Sequence, residues 1–469
     1  MQRNSAQLWG KQGARGALIA GVAAVACCLP APASAVPASP ALAGTVSPTP
    51  ASGTPTLVDT GTTEQIRQLV QCGGTMYAVG TFTEIKHGST TYARNNAFSF
   101  SATAPFAVTP WDPNVNGTVD TIAFNGTDCS TAYLGGHFTS VGGAAAKNIA
   151  AVDAAGALAP GFKDNASGEV NTLAVANGHL LAGGAFKGIN GSTADPYFAS
   201  LSPATGRDDG FAHLNISGHY VYPGVHTNPT KVYNQQLSHS GQLDLVEGDF
   251  TSVGGHGRQQ VFMLDVSGSA AQVTGWSSPE FDGSKGNLPG GYAYQCSVKE
   301  AFYLRAAAWS TDDSTVYTAA TGFNPWNWST SNPRTGLCDS VAAFPATQAE
   351  VTHKWVNYTG CDSLYSTAAD SSAVYIGGHE RWANNANGCN HLGPGALPAP
   401  GLGGFSPSTG GLITNSSGTA GLYSRSRGRG ADDLVVTSAG LWVASDNYGG
   451  NTSCGGQPGY AGICFLPNS

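Results

Sequence analysis

An apolar strand pattern that runs into Gly-x-Phe recurs along most of this 469-residue chain. It reads Met76-Tyr77-Ala78-Val79-Gly80-Thr81-Phe82, then Tyr133-Leu134-Gly135-Gly136-His137-Phe138. It returns as Leu180-Leu181-Ala182-Gly183-Gly184-Ala185-Phe186 and as Leu245-Val246-Glu247-Gly248-Asp249-Phe250. The second and fourth copies continue into Thr139-Ser140-Val141-Gly142-Gly143 and Thr251-Ser252-Val253-Gly254-Gly255. Three later copies are degenerate: Val316 to Phe323 keeps Gly-Phe, Val374 to Glu380 has Glu where Phe stood, and Leu441 to Asn447 keeps the strand alone. Positions 82, 138, 186, 250, 323, 380 and 447 thus mark seven copies, about 61 residues apart. A sandwich would not repeat in this way, and a β-helix would need much shorter repeats.

Each copy has room for about four short strands. The second shows them as Val119 to Phe124, Ala132 to Phe138, Asn148 to Asp153 and, after a turn at Ala155-Gly156, Ala159 to Phe162. Four strands repeated radially make a propeller blade. The pattern predicts an all-β fold, a seven-bladed β-propeller of four-stranded antiparallel blades over residues 57–469. The last copy ends at Ile463-Cys464-Phe465-Leu466, which reads as a third strand. Thr56 to Asp59 is expected to supply the missing fourth, so that no sheet edge stays open. Composition agrees: 64 Gly and only 11% charged residues suit short strands and tight turns, not long exposed helices.

The G-x-F-x-x-x-G-G stretch, followed by Asn148-Ile149-Ala150-Ala151-Val152-Asp153, resembles the delta-60 repeat family, found in secreted actinobacterial and Rax2-like cell-surface proteins. The resemblance is good over 66–210 and 235–265 and poor beyond about 290, where long inserts fall. It implies a β-propeller and brings no catalytic residues with it. Within the repeat, the Gly is expected to permit a bulge or a close strand approach. The Phe is expected to pack between blades.

The N-terminus specifies a compartment. Arg3, Lys11 and Arg15 precede an apolar run from Ala17 to about Leu29, and Ala33-Ser34-Ala35 is an A-x-A cleavage site. Residues 1–35 therefore read as a secretory signal peptide, with a run too short to span a bilayer. Cys27 offers a lipoprotein alternative. Residues 36–56, mostly Ala, Pro, Ser, Thr and Val, read as a flexible linker. No transmembrane helix is expected in the mature chain. The location implied is extracellular, free or associated with the cell wall, as a monomer. The full chain already carries a net charge of −8, which argues against a nucleic-acid partner.

Eight cysteines remain after cleavage, without a C-x-x-C, and an even count in an exported chain implies disulfides. The repeat positions pair Cys72 with Cys129, Cys296 with Cys338, Cys361 with Cys389 and Cys454 with Cys464.

Variable loops on a rigid scaffold carry function, so a site is expected on the face bearing the loops after Gly-x-Phe. The richest loops contain Trp326, Trp328 and Arg334 in the fifth copy, and His379, Glu380, Arg381, Trp382 and Asn390 in the sixth. Aromatic planes beside amides and charges suit sugar rings or peptide segments. These eight residues are the candidate ligand contacts of a non-catalytic module that binds an extracellular glycan, cell-wall polymer or protein. The same Trp rings could instead form the small cores of the long inserts. The alternative function is a secreted glycoside hydrolase or lyase that pairs Glu380 with Asp432 or Asp433 on that face. No cofactor or metal is expected. No D-x-D-x-D-G run occurs, and Ala383 stands where H-E-x-x-H needs its second His. No G-x-S-x-G supports a serine nucleophile. The basic run Arg425-Ser426-Arg427-Gly428-Arg429 reads as a solvated loop or a bridge to Asp432.

Overall fold

The computed structural model describes residues 45–219, 229–281, 304–322, 336–450 and 452–469. Among them there are eleven antiparallel sheets, seven of which follow one another along the chain as main sheets. The other four are a small sheet of Thr56–Leu57, Glu84–His87 and Thr90–Ala93 and three two-stranded ribbons. The first main sheet contains Gln65–Cys72, Thr75–Thr81 and Ala97–Ser101, and the second Thr118–Asn125, Asp128–His137 and Ile149–Asp153. The third contains Val170–Ala176, His179–Gly184 and Phe198–Leu201. The fourth and fifth start at Lys231–Leu237 and Leu304–Trp309, the sixth at Leu364–Ala369 and the seventh at Asp433–Thr437. Each starting strand lies beside the starting strand of the next sheet, and the seventh lies beside the first. Radial sheets around a ring of inner strands define a β-propeller.

The outer strands depart from the expected pattern. A fourth strand is a ladder only in the fourth and fifth sheets, as Gln272–Val273 and Trp355–Tyr358. In the first, second, third and sixth sheets it shrinks to the single bridges Phe100 with Val108, Val152 with Leu158, Leu201 with Asp208 and Phe405 with Leu412. Outer segments such as Asp208-Asp209-Gly210 carry turn residues that end pairing early, and short edges resist edge-to-edge association.

Closure also differs in its residues. Thr56–Leu57 pairs as a strand with Glu84–His87 and not with the last strand, although Leu57 donates its amide to the Ala461 carbonyl just before that strand at 3.0 Å. Residues 45–51 take the expected place beside Ile463–Pro467. Ser47 donates to the Pro467 carbonyl at 2.7 Å, and Ala51 to that of Phe465 at 2.8 Å. Val46 is buried, and its carbonyl accepts the Tyr423 hydroxyl at 3.0 Å. The C-terminal part of the expected linker is therefore part of the fold. With that ladder position occupied, Thr56 and Leu57 are displaced to the neighbouring ribbon. Aromatic packing reinforces the seam: Trp442 stacks on Phe465 at 4.3 Å and meets Phe100 and Phe106 edge-on.

The repeat signature has a physical reading. Phe82, Phe138, Phe186 and Phe250 are all buried. Gly142 and Gly143 both have positive φ and turn a two-residue loop between Ser140–Val141 and Ala144–Ala145. Gly254 and Gly255 do the same between Ser252–Val253 and His256–Gly257. That geometry is nearly forbidden to residues with a Cβ. Three of the predicted disulfides are present, Cys72–Cys129, Cys361–Cys389 and Cys454–Cys464. Cys338 is also disulfide-bonded, and its expected partner Cys296 lies outside the described residues.

Candidate functional site

The Gly of Gly-x-Phe shapes the innermost strands. A Cβ on Gly80, Gly136, Gly184, Gly248 or Gly378 would come within 2.0–2.4 Å of a carbonyl oxygen on the first strand of its own sheet or on the residue just before it. The missing side chain lets that strand crowd in, and the ladder slips there by one residue. The slip falls at Arg67, Asp120, Asn171, Tyr233, Arg305 and Tyr365 in the first six sheets. In the seventh, Asp432 donates its amide to Ala444, the residue that Asp433 faces, which is the same two-against-one arrangement. A bulge re-aims the side chain it carries. All seven line one central cavity of about 280 Å³, to which every inner strand contributes. They lie near the start of the first strands. Second strands end at that level, so these residues line the part of the cavity nearest the loops after Gly-x-Phe, and Gln236, Ala307, Thr367 and Leu434 line it further along the inner strands.

The wall is polar and carries both signs of charge. Arg67 Nε lies 3.8 Å from Asp120 Oδ1. Gln65 donates its side-chain amide to Asp432. The Lys231 ammonium sits 4.8 Å from the Tyr233 ring centroid, and the Arg305 guanidinium 5.3 Å from that of Tyr365. Burial pushes Asp432 up to about 7 although Arg67 and Arg305 pull it down. Burial likewise raises Asp120 to about 6, against Arg67 and with help from Glu169. Behind the wall, burial takes Glu247 to about 8, while Asn234 donates to it at 3.4 Å.

The next residue along several strands stitches neighbouring blades together. Gln68 Oε1 accepts the Ile122 amide at 2.6 Å, and Thr121 Oγ1 accepts that of Leu173 at 3.1 Å. Asp433 Oδ2 accepts the Leu69 amide at 2.8 Å across the seam, and its other oxygen takes the Leu434 amide. Asp433 is thus held by backbone.

Of the eight residues expected to contact a ligand, Trp326, Trp328 and Arg334 lie outside the described residues. The other five are brought together in the sixth blade. Arg381 grips Asp362 through Nε and Nη2 at 2.7 and 2.8 Å and donates to Asn390 Oδ1 at 2.9 Å. Its guanidinium lies 4.2 Å from the half-buried Trp382 ring. The Cys361–Cys389 bridge adjoins both Asp362 and Asn390. His379 packs at 5.7 Å on Tyr365, a wall residue, and its ring is held below its ordinary value by burial. The contact of His379 with Tyr365 thus places the Arg381 and Trp382 cluster behind one wall residue of the channel.

Glu380 turns inward. It is fully buried, and neither carboxylate oxygen is hydrogen-bonded to another residue. Burial raises its pKa well above the usual range. The charges that bear on it are Asp362 and Arg427, whereas those on Asp432 are Arg67, Arg305, Asp446 and Asp433. The expected pairing of Glu380 with Asp432 or Asp433 is therefore not formed, because Glu380 belongs to the sixth blade's interior and not to the channel wall. Arg427 bridges Asp362 at 3.5 Å and the His379 carbonyl at 2.6 Å, not Asp432. Arg425 is buried against the Tyr460 carbonyl.

The channel ring, apart from Asp432, was outside the sequence expectation. Its signal is a break in alternation after a buried aliphatic: Ile66-Arg67-Gln68, Val119-Asp120-Thr121, Val170-Asn171-Thr172, Val232-Tyr233-Asn234. Two consecutive non-aliphatic residues at the same place in successive repeats mark the bulge.

Fold and site together define a β-propeller with a polar channel lined by bulged inner strands. No family model matches this chain, and no curated protein does. Similar solved structures include the WD40 β-propeller domain of Doa1, at 10% identity over 89% of this chain and 98% of that one, with a TM-score of 0.45. The RRP9 WD40 repeats match at 11% identity over 89% of this chain and 98% of that one, with a TM-score of 0.46. Among the described residues, no helix is long and apolar enough to cross a membrane. No group of three or more His, Cys, Asp or Glu among them could hold a metal ion.

Proposed function

We propose that the protein is an exported, non-catalytic binding module of the delta-60 repeat kind, and that it recognises an extracellular glycan, cell-wall polymer or protein through its long-loop face. The observation that carries this reading is the ring of bulges, which turns a side chain from every inner strand into one polar channel at its end nearest that face. Bridges at Cys361–Cys389 and Cys454–Cys464 suit an oxidising compartment and hold loops still. Preorganised loops lose less entropy on binding. The rim residues Arg381, Trp382 and Asn390 are proposed to extend the recognition surface outward on the sixth blade. Trp326, Trp328 and Arg334 are proposed to join it from the fifth blade.

The test is retention of the purified mature chain on cell-wall material and on a glycan array. Trp382→Ala should weaken retention by roughly 1–3 kcal/mol while the melting temperature stays close to wild type. Arg381→Ala should lower the melting temperature as well, because it leaves the buried Asp362 carboxylate without its bidentate partner. Retention on neither material, with no protein captured from the outer surface of cells, would reject the binding role. Export is checked separately, since the mature N-terminus in culture medium should be Val36.

A further inference from the structure

We propose that the channel itself holds one neutral, hydroxyl-rich unit, a mono- or disaccharide, so that the glycan is gripped inside the propeller as well as on the rim. This rests on the reading of the long-loop face as a recognition surface and narrows its ligand class.

Three features lead there. The first is size: about 280 Å³ is near the lower end of small-ligand sites, which span ~300–1,000 Å³. One or two sugar rings fit that scale, and a folded partner does not. The second is polarity. An apolar ligand would strip water from the wall without replacing the hydrogen bonds that water makes there, at ~1–3 kcal/mol each.

The third is the arrangement of charge. Arg67, Lys231 and Arg305 can only donate; the carboxylates of Asp120, Glu169 and Asp432 accept when ionised, and Asp432, raised to about 7 by burial, also donates in its protonated form. In blade order the ring reads Arg67, Asp120, Glu169, Lys231, Arg305, then Asp432, so every donor has a carboxylate on at least one side, with Asp120–Glu169 and Lys231–Arg305 as like-charged neighbours. Asp433 is already committed to the Leu69 and Leu434 amides. Such a wall has little net charge to attract an ion, and a cation or an anion meets repulsion from half of the groups that surround it. A hydroxyl is donor and acceptor at once, so it is served by both kinds. Hydrogen bonds to charged partners are roughly twice as strong as neutral ones. The side chains sit on bulged strands that neighbouring blades fix in place, so little ordering remains for binding to supply.

The test uses the full mature chain and isothermal titration with glucose, galactose, mannose, arabinose, N-acetylglucosamine, maltose, cellobiose and trehalose. Glycine, glutamate and lysine form a zwitterion arm, and sulfate and citrate an anion arm. At least one saccharide should bind saturably. Glu169→Gln and Lys231→Met should weaken it tenfold or more, and Trp382→Ala less than twofold. A readout on the unmutated protein accompanies this: saturating sugar should protect Glu169 and Asp120 from carbodiimide labelling several-fold, with exposed Asp59 unchanged. Binding confined to the zwitterion or anion arm overturns the inference, as does saccharide binding without protection of Glu169. Polymer retention that depends on Trp382 while no soluble sugar binds also overturns it, and leaves the binding role of the face standing. No retention and no sugar binding removes both.

Discussion

Gly184 has no room for a side chain. A Cβ there would stand 2.1 Å from the Glu169 carbonyl oxygen and 3.0 Å from the Val170 Cα. Both are backbone atoms, so neither can swing aside. Gly184→Ala should therefore force the third blade's bulge open and cost roughly 1–3 kcal/mol, read as a lower urea midpoint. An unchanged midpoint would show that the inner strand is not pinned at this point. Glu380 poses the opposite case, a charge-bearing group in a place that disfavours charge. Its carboxyl is raised by burial and is hydrogen-bonded to no other residue, so the folded state holds its proton more tightly than the unfolded chain. Glu380→Gln should leave the melting temperature unchanged near pH 5, where both side chains are neutral. At pH 9 the variant should melt higher, because wild type must then bury an ionised group or reprotonate it. Equal melting curves at both pH values would show that Glu380 is solvated or paired.

At the scale of elements, repetition made the blades legible. A Gly-x-Phe at each second-strand end locates a hairpin, and the chain supplies enough copies for the period to be read from residues alone. The Gly-Gly turn of Val141-Gly142-Gly143-Ala144 was equally visible, because few other dipeptides adopt positive φ at both positions. Closure was harder to place. Residues 45–56 have the composition of a linker, and the ladder that holds Ser47 and Ala51 uses backbone atoms, which leave no trace in side-chain pattern. The inward course of Glu380 was hidden for a related reason: its place in the repeat is that of a buried Phe, and position outweighed polarity. The closing strand yields a direct test. A chain that begins at Thr54 loses Val46 from the core and bares the edge of Ile463–Pro467, whereas one that begins at Thr45 keeps both. The shorter chain should melt several degrees lower, by about 2–4 °C per kcal/mol lost, and aggregate more readily. Coincident melting curves for the two chains would refute closure by residues 45–51.

At the scale of the molecule, the raised carboxyls act together. Burial lifts Glu247 to about 8, Asp244 and Asp432 to about 7, and Asp120, Asp164 and Asp433 to about 6. In the unfolded chain these groups titrate near 4. Between the two values the folded state binds more protons than the unfolded one, so stability falls as pH rises. The loss begins above about pH 4 and is complete once pH passes the folded values, near 8. Groups shifted the other way set the acid limit. Glu64 is lowered in spite of its burial, because Thr60, Thr62 and Asn447 hydrogen-bond to it. Asp312 is lowered to about 2 by Ser310 and Ser314. Their contribution is present above about pH 4 and is lost below it. His379, lowered by burial, withdraws stability as pH falls through its range, and His213, raised by Asp195, partly offsets that. The balance places the maximum near pH 5, with the melting temperature there above that at pH 8 by about 5 °C or more. Asp244→Asn with Glu247→Gln should flatten the alkaline limb, because those two groups are enclosed on all sides. A wild-type maximum at or above pH 7 would mean that the channel and its backing layer stay hydrated and that their carboxyls titrate near ordinary values.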